Sequence, residues 1–308
     1  MKKILKIGIV ILHFGRKADT IECLQSVKKL HQTGIKLRIY LVNNDPENVI
    51  SKEELIGFRN TKIISTGKNL GFGGGMNVGC RKALADKCGY ILLLNNDTVV
   101  KKDFFIKLIP YFKDKTIGLI SPVITYYNRP NVIWCAKGYL NRTFLYSKYP
   151  HMGKVMSHVM LDNPIEADFG AAALLVDSKV FRKIGFLDEK YFLNVEDIEF
   201  CFRAKQAGYR IVYAPYPLVL HKVSANTGIR GTNTLNQKQA FFYARNFFIL
   251  LRDHRDYFNI YTALIGQTFI RLPFYTLFRS SSFFSAISYC RGYIYGMVYL
   301  LTGKLLSF

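Results

Sequence analysis

Hydrophobic residues in the first half of the chain fall into short unbroken runs separated by amphipathic stretches. The run Tyr90-Ile-Leu-Leu-Leu stops at Asn95-Asn96-Asp97, the pattern of a strand buried on both faces that delivers polar groups at its carboxyl end. Ile7 to Leu12 predicts a first strand ending at His13-Phe14-Gly15. Leu37 to Val42 predicts a second, with Asn43-Asn44-Asp45-Pro46 at its tip, and Ile63-Ile64 a short third. Asp19 or Thr20 is placed to cap a helix with Ile21, Leu24, Val27 and Leu30 on its apolar side. The stretch from Asn69 through Gly71, Gly73 and Asn77 to Gly79 runs into a second helix that stops near Gly89, and a later helix carries Phe104, Phe105, Leu108, Ile109 and Phe112. This alternation predicts a layered α/β domain with a mostly parallel sheet, in which ligands bind outside the carboxyl ends of the strands.

Tyr126 to Pro164 is irregular in pattern and reads as an insert or hairpin that shapes a substrate pocket. Ala172 to Val176 is again strand-like, Ser178 is placed to cap the helix Lys179–Ile184, and Gly185 to close it. Glu196-Asp197 opens a helix through Ala207 with Gly208 as its stop. Arg210 to Ala214 and Leu218 to Leu220 are the last strands and deliver His221.

The pattern changes after Gln237, which divides the chain into an α/β domain, residues 1–237, and a hydrophobic helical region, residues 238–308. Phe241–Leu251 is aromatic and aliphatic, interrupted by Arg245 and Asn246. Phe258–Phe278 and Phe283–Gly303 each carry one charge, Arg271 and Arg291, which makes neither a clean membrane span. Thr262, Gly266, Gln267 and Arg271 share one helical side, as do Ser281, Ser285, Ser288 and Arg291. With aromatics opposite, that spacing suits helices lying in a membrane interface; packing on the main domain is the alternative.

Composition narrows the partners. The chain has 308 residues, 50% of them hydrophobic, too apolar for a disordered protein. Its 43 Lys+Arg against 21 Asp+Glu give a formal charge of +22, which fits nucleic acid, an anionic membrane or phosphate-bearing substrates. Nucleic-acid binding calls for basic residues concentrated with aromatics on one face, whereas here they are spread along the whole chain, so no nucleic-acid partner is expected. Six cysteines without a C-x-x-C pair point to a reduced compartment. Lys6 and Gly8 interrupt the apolar start, which therefore reads as a strand and not as a signal peptide.

The glycine-rich stretch is not a dinucleotide fingerprint. Counting i, i+2 and i+5 from Gly71 ends on Met76, and from Gly73 on Val78. It is a run of small residues at a helix start, where backbone can approach a ligand. Three polar clusters follow strands: Asn43 to Asp45, Asn95 to Asp97, and Glu196-Asp197 with His221. Each alone has an ordinary reading, as a turn, a helix N-terminus or a strand end; together they predict a shared site.

In order, Ile9-Val-Ile-Leu-His-Phe, Leu41-Val-Asn-Asn, the glycine-rich stretch, Leu92-Leu-Leu-Asn-Asn-Asp97-Thr, Phe169-Gly-Ala-Ala, Gly185-Phe-Leu-Asp-Glu-Lys-Tyr-Phe, Glu196-Asp197-Ile-Glu-Phe, Ala207-Gly-Tyr and His221 resemble an inverting family 2 glycosyltransferase, in its bacterial rhamnosyltransferase-like branch. The resemblance covers roughly residues 5–252. It implies a GT-A (Rossmann-like) nucleotide-sugar-binding domain with a mixed, mostly parallel sheet, carrying here a C-terminal helical membrane-associated tail. It also implies a UDP- or dTDP-sugar donor, dTDP-rhamnose among them, a glycan or lipid-linked glycan acceptor, and a divalent metal, Mg2+ or Mn2+. By motif, Asp97 and His221 fall on metal positions, and Asp197, beside Glu196, on the catalytic base. His13, Phe14, Asn43, Asn69, Gly73, Asn77, Asn95 and Asn96 fall on the donor side. Asn95 and Asn43 replace the Asp that the family often has, which leaves the donor open. The location implied is cytoplasmic, peripheral on the anionic inner face of the cell membrane. A nucleotidyltransferase on a similar sheet would carry a basic glycine loop after the first strand, which His13-Phe-Gly-Arg-Lys matches poorly. A non-catalytic membrane-associated scaffold would have no need of both Asp97 and Asp197.

Overall fold

The computed structural model describes residues 4–31, 33–223, 234–306 and 308. In chain order it begins with β1 (Leu5–His13), α1 (Lys17–Lys28), β2 (Ile35–Asn43), β3 (Thr61–Ser65), α2 (Gly71–Ala85), β4 (Tyr90–Asn95), β5 (Thr98–Val100) and α3 (Phe104–Leu108). There follow β6 (Ile117–Tyr126), β7 (Arg129–Cys135), β8 (Tyr139–Asn141), β9 (Tyr146–Lys148), β10 (Ile165–Ala167), β11 (Ala173–Asp177), α4 (Ser178–Ile184), α5 (Glu196–Gln206) and β12 (Arg210–His221). The chain closes with α6 (Gln237–Asp253), α7 (Ile260–Ile265), α8 (Leu272–Phe274) and α9 (Phe283–Thr302).

One mixed sheet runs in the order β10-β12-β6-β11-β4-β1-β2-β3, with β5 on β12 and β7 on β6. Strands β4, β1, β2 and β3 are parallel, as the βα alternation predicts, and β12 is parallel to β6, while β11 runs against both β4 and β6. The register Leu12↔Val42 and Leu12↔Asn95 aligns three strand ends, so His13, Asn43 and the Asn95–Asp97 tip emerge along one edge.

The sequence pattern gives no hint of β6, although all ten of its residues are buried. Pro122 is the reason, since proline donates nothing to a ladder and argues against a central strand. Here β12 slips register opposite it, from Ala214↔Pro122 to Pro217↔Val123. The two predicted last strands are thus one long bulged strand. Two caps differ from expectation. Helix α1 starts at Lys17, which puts Asp19 and Thr20 inside its first turn, where both are buried. Helix α4 is capped by Asp177, whose carboxylate accepts the Lys179 N–H, and not by Ser178. Gly185 closes that helix at φ 79°. The expected insert contains β7 and the β8–β9 hairpin.

The glycine-rich stretch is helical from Gly71 onward. A Cβ on Gly79 would lie 2.4 Å from Val10, and one on Gly75 2.3 Å from Leu12, so small residues let α2 lie directly on β1. Gly75 and Gly79 thus serve helix-on-sheet contact, while Gly71, at φ 74°, lets the helix start close against the Phe192 carbonyl.

The C-terminal region shares the main core: Phe247 to Leu251 of α6, Phe258, Ala263, Tyr299 and Leu300 pack in the same cluster as the sheet. Helix α9 crosses α6 through Gly292 and Gly296, where added Cβ atoms would meet the Phe241 carbonyl oxygen at 2.1 Å and the Phe248 ring at 2.3 Å. The polar side that includes Gln267 and Arg271 turns inward, and the apolar side turns out, with Tyr261, Phe269, Leu277 and Phe278 all at least 70% exposed. No described helix is long and apolar enough to cross a membrane. All six cysteines are free, five of them buried.

Gly292→Leu should lower stability by roughly 1–3 kcal/mol through overpacking at the α6–α9 crossing. Ile294→Ala, on the exposed side of α9, should change it by less than ~0.5 kcal/mol. Thermal melts of both variants provide the check.

Candidate active site

Two groups of acids meet at one cavity of about 570 Å3. The first is built by a short ladder: β5 pairs antiparallel with the end of β12, setting Thr98 opposite His221, and the Lys222 N–H donates to the Asp97 carbonyl at 3.0 Å. The side chains of Asp97 and His221 therefore face each other, Oδ1 to Nε2 at 3.2 Å, and both residues are less than 10% exposed. Trp134 stands edge-on to His221 with ring centroids 4.3 Å apart. The other ring nitrogen, Nδ1, is buried without a hydrogen-bond partner among the described residues.

The second group is Glu196-Asp197 at the start of α5. The loop before it is strained: Phe192, Asn194 and Val195 all have positive φ, 59°, 65° and 73°. For a β-branched valine that conformation is a clear outlier. Helix α6 holds the loop. The Asn246 amide donates to the carbonyls of Tyr191, Leu193 and Asn194 at 2.7, 2.9 and 2.7 Å. Arg245 donates to the Lys190 carbonyl at 2.8 Å, and Phe192 stacks on Phe242. Burial pulls the Arg245 guanidinium down to about 10, still charged at neutral pH.

Burial, partly offset by the N–H of Ile198 on its Oδ1, pushes the Asp197 carboxyl up to about 6. Glu196 is pushed well above the usual carboxylate range by its own burial and by the neighbouring Asp197 charge. Glu196 is thus held further towards its neutral form than Asp197, which leaves Asp197 the readier of the two to ionise, the state a general base requires.

Phe14, Asn69, Asn95, Asn96, Asp97, Glu196, Asp197 and His221 all line the cavity. His13, Asn43, Gly73 and Asn77, the other residues predicted for the donor side, do not. The amide of Asn43 pairs both ways with the Ile50 backbone, at 2.9 and 3.0 Å, closing the loop after β2. Its neighbour Asn44 faces the cavity instead and ties Asn69 and Leu70 in place. Asn77 holds Leu187 through both its N–H and its carbonyl, and Gly73 packs against the same residue. His13 is fully buried and supports the site from below. Its Nε2 donates to the Asn48 carbonyl at 2.5 Å, which makes Nδ1 the acceptor from Thr20 Oγ1 at 2.8 Å. Thr20 in turn accepts from the Asn96 amide at 2.8 Å. Burial lowers the His13 pKa and keeps this relay neutral.

Sequence reasoning missed Trp134, Tyr149 and Tyr243, which also line the cavity. It also missed Arg245 and Asn246 as supports for the Glu196 loop. The one available signal was the Arg-Asn pair interrupting an apolar run, since buried polar pairs in such runs need partners.

Solved structures share this architecture. GalNAc-T7, solved with UDP, GalNAc and Mn2+, is similar with a TM-score of 0.57 at 17% identity, over 71% of this chain and only 43% of its own. Residues 1–349 of S. aureus TarS follow with TM-score 0.56 at 12% identity, over 97% of this chain and 81% of that one. The mannosyltransferase of Pyrobaculum calidifontis, solved with GDP-Man and Mn2+, has TM-score 0.54 at 11% identity, over 97% and 76%. These likenesses define a GT-A fold. The chain belongs to the family 2 glycosyltransferases: residues 90–307 match Glycosyl transferase family group 2, and residues 8–163 match Glycosyl transferase family 2. A low-salt glycan biosynthesis hexosyltransferase of Haloferax volcanii is 29% identical over 68% of this chain and 69% of its own. A dTDP-rhamnosyl transferase of Shigella flexneri is 22% identical over 69% and 70%. These relatives support the rhamnosyltransferase-like branch.

Asn246→Ala removes the donor shared by three loop carbonyls. It should cost roughly 1–3 kcal/mol of stability and reduce turnover beyond what the lower folded fraction explains. Melting curves and rates taken well below the melting temperature separate the two effects. Full turnover in the folded variant would free the loop from α6.

Proposed function

We propose that this glycosyltransferase moves a sugar, with inversion, from a UDP- or dTDP-sugar to a hydroxyl of a glycan or lipid-linked glycan, with dTDP-rhamnose the first donor to test. The observation that carries the reading is one cavity lined both by Asp97 with His221 and by buried Glu196 with half-buried Asp197. A carboxylate oxygen and an imidazole nitrogen 3.2 Å apart fit a divalent ion that takes its remaining ligands from water and phosphate. The unpartnered Nδ1 of His221 fits as well, because a ring nitrogen with no competing bond leaves the tautomer free to change. Mg2+ or Mn2+ bound there would neutralise charge on the diphosphate leaving group.

The protein's own residues do the rest. Asn95 presents its amide to the donor beside Asp97, Asn96 lines the same wall with its amide N–H groups held by Phe14 and Thr20, and Phe14, Asn44 and Asn69 line the side nearest β1 and β2. Asp197, ionised above about pH 6, accepts the proton of the attacking hydroxyl. Burial and the Asp197 charge disfavour ionisation of Glu196 beside it. With one base and no second carboxylate serving as nucleophile, displacement proceeds in a single step and inverts the anomeric centre.

The outward apolar side of residues 261–278, on a chain of charge +22, supports peripheral attachment to an anionic membrane at its inner, cytoplasmic face. Replacing exposed Leu277 and Phe278 with Glu should sharply reduce sedimentation with phosphatidylglycerol vesicles, with little change in melting temperature. Equal sedimentation would place the contact elsewhere.

Asp97→Asn should abolish metal-dependent donor binding. Asp197→Asn should keep donor affinity and lose ~10²–10⁴ in rate. The folded Asp197 carboxyl takes its proton near pH 6 and the unfolded one near 3.8, so ionised Asp197 costs stability that is recovered as pH falls through 6. Asp197→Asn should therefore melt at or above the parent at pH 7.5, with the gain vanishing near pH 4. Parent turnover should fall about tenfold per pH unit below 6. Normal turnover in the Asp197→Asn variant would remove the base from this position.

A further inference from the structure

Charges inside the cavity are segregated. Its three carboxyl groups, of Asp97, Glu196 and Asp197, come from the sheet edge and α5. Its lysines and arginine come from elsewhere: Lys148 from the β8–β9 hairpin, Lys238 from the first turn of α6, and Arg279 from the turn before α9. Backbone and hydroxyl contacts bring these three segments together. The Leu235 N–H donates to the Arg279 carbonyl at 2.7 Å, just ahead of Lys238. Ser147, next to Lys148, shares a 2.7 Å hydrogen bond with the Tyr243 hydroxyl, and Tyr275, one turn before Arg279, donates to the same hydroxyl at 3.3 Å.

The donor does not account for these cations. Its diphosphate belongs at Asp97 and His221, at the strand ends. The cations stand instead around the Tyr149–Tyr243–Tyr275 wall, where the Asp197 charge still acts on the Tyr149 phenol. Among the described residues none of the three forms an ion pair with a carboxylate, and the Lys148 ammonium stands over the Tyr146 ring, 5.0 Å from its centroid. Arg279 has its Nε buried with no hydrogen-bond partner among them. An unsatisfied guanidinium nitrogen in a cavity wall is stabilised by an anion that accepts from it.

Directly beyond Arg279 the surface becomes apolar. Leu277, Phe278, Phe283 and Phe284 are all more than 60% exposed at the turn between α8 and α9. A groove between Leu272 and Ile287 continues from them. Cation and apolar surface adjoin in the order that an amphiphilic phosphate presents them.

We infer that Lys148, Lys238 and Arg279 form an acceptor subsite for the phosphate of a lipid-phosphate- or lipid-diphosphate-linked sugar. The apolar chain leaves across Leu277, Phe278 and Phe283, and the sugar hydroxyl lies towards Asp197. This rests on the transferase reading and adds to it the chemical class of the acceptor.

The test uses the full chain with EDTA and without donor, so that metal-dependent diphosphate binding is silent. Decyl diphosphate and inorganic pyrophosphate are titrated by calorimetry, the former below its micellar concentration. Decyl diphosphate should bind at least about tenfold more tightly than pyrophosphate, because the chain adds apolar burial. Arg279→Gln and the exposed Lys238→Gln should each weaken it about tenfold or more. Phe278→Ser should weaken decyl diphosphate alone, and Asp97→Asn should leave both ligands unchanged. Lys238→Gln keeps the test valid even where Arg279→Gln fails to fold. Binding that survives both cation variants, or that tightens in Asp97→Asn, would put the anion beside Asp97 at the donor site and overturn the subsite. Equal affinity for the two ligands would make it a site for free phosphate and overturn the lipid assignment. Donor binding with Mn2+ on the same preparation reports separately on the transferase reading.

Discussion

Three carbonyl oxygens in a strained loop share the two N–H groups of one buried amide. Asn246 satisfies Tyr191, Leu193 and Asn194 at once, and without it a loop with three positive-φ residues would carry unmet acceptors in a buried place. The strain aims Glu196 and Asp197 into the cavity, and the amide comes from a helix outside the βα alternation. The α/β sheet and the C-terminal helices are therefore coupled at the point where chemistry is proposed. Strain of this kind persists where the surroundings over-determine it, and here Arg245 and the Phe192–Phe242 stack complete that support.

Environment also separates the roles of neighbouring acids. Asp97 sits against His221, Glu196 is sealed in without a partner for Oε2 among the described residues, and Asp197 is half-buried with one backbone N–H. Three carboxyl groups of the same chemistry are thereby suited to holding a cation, staying neutral and taking a proton. Beneath them a neutral relay from Asn96 through Thr20 and His13 to Asn48 fixes an amide without introducing charge. The remaining wall, from the hairpin and the C-terminal helices, contributes cations and aromatics.

Much of this was legible in the chain. Unbroken apolar runs ending in Asn and Asp placed β1, β2 and β4 and their tips, because burial on both faces leaves no other pattern. The polar clusters read from the chain grouped His221 with Glu196-Asp197, and only the family resemblance put it on the same metal as Asp97. The two lie so far apart in the chain that no local rule could bring them together, and the β5–β12 ladder does so. Strand β6 was hidden by Pro122, whose cost is absorbed by a bulge in a strand that lies far away in sequence. Asn43 and Asn44 are chemically identical neighbours, and only the course of the loop decides that the first ties down Ile50 while the second faces the cavity.

The sequence by itself determined periodicity, and with it the βα order, the polar strand tips and the amphipathic character of the C-terminal helices. Tertiary structure decided which side of those helices turns inward, since Gln267 and Arg271 find partners in the protein and the aromatics are left outside. It likewise decided that Gly75 and Gly79 of the glycine-rich stretch lie on β1 while Gly71 meets the Phe192 carbonyl, and that Asn246 supports the loop before Asp197. The physical reason is the same in each case. Hydrophobic periodicity is a local property that burial enforces residue by residue, whereas the partner of a buried polar group is set by whatever distant segment packs against it.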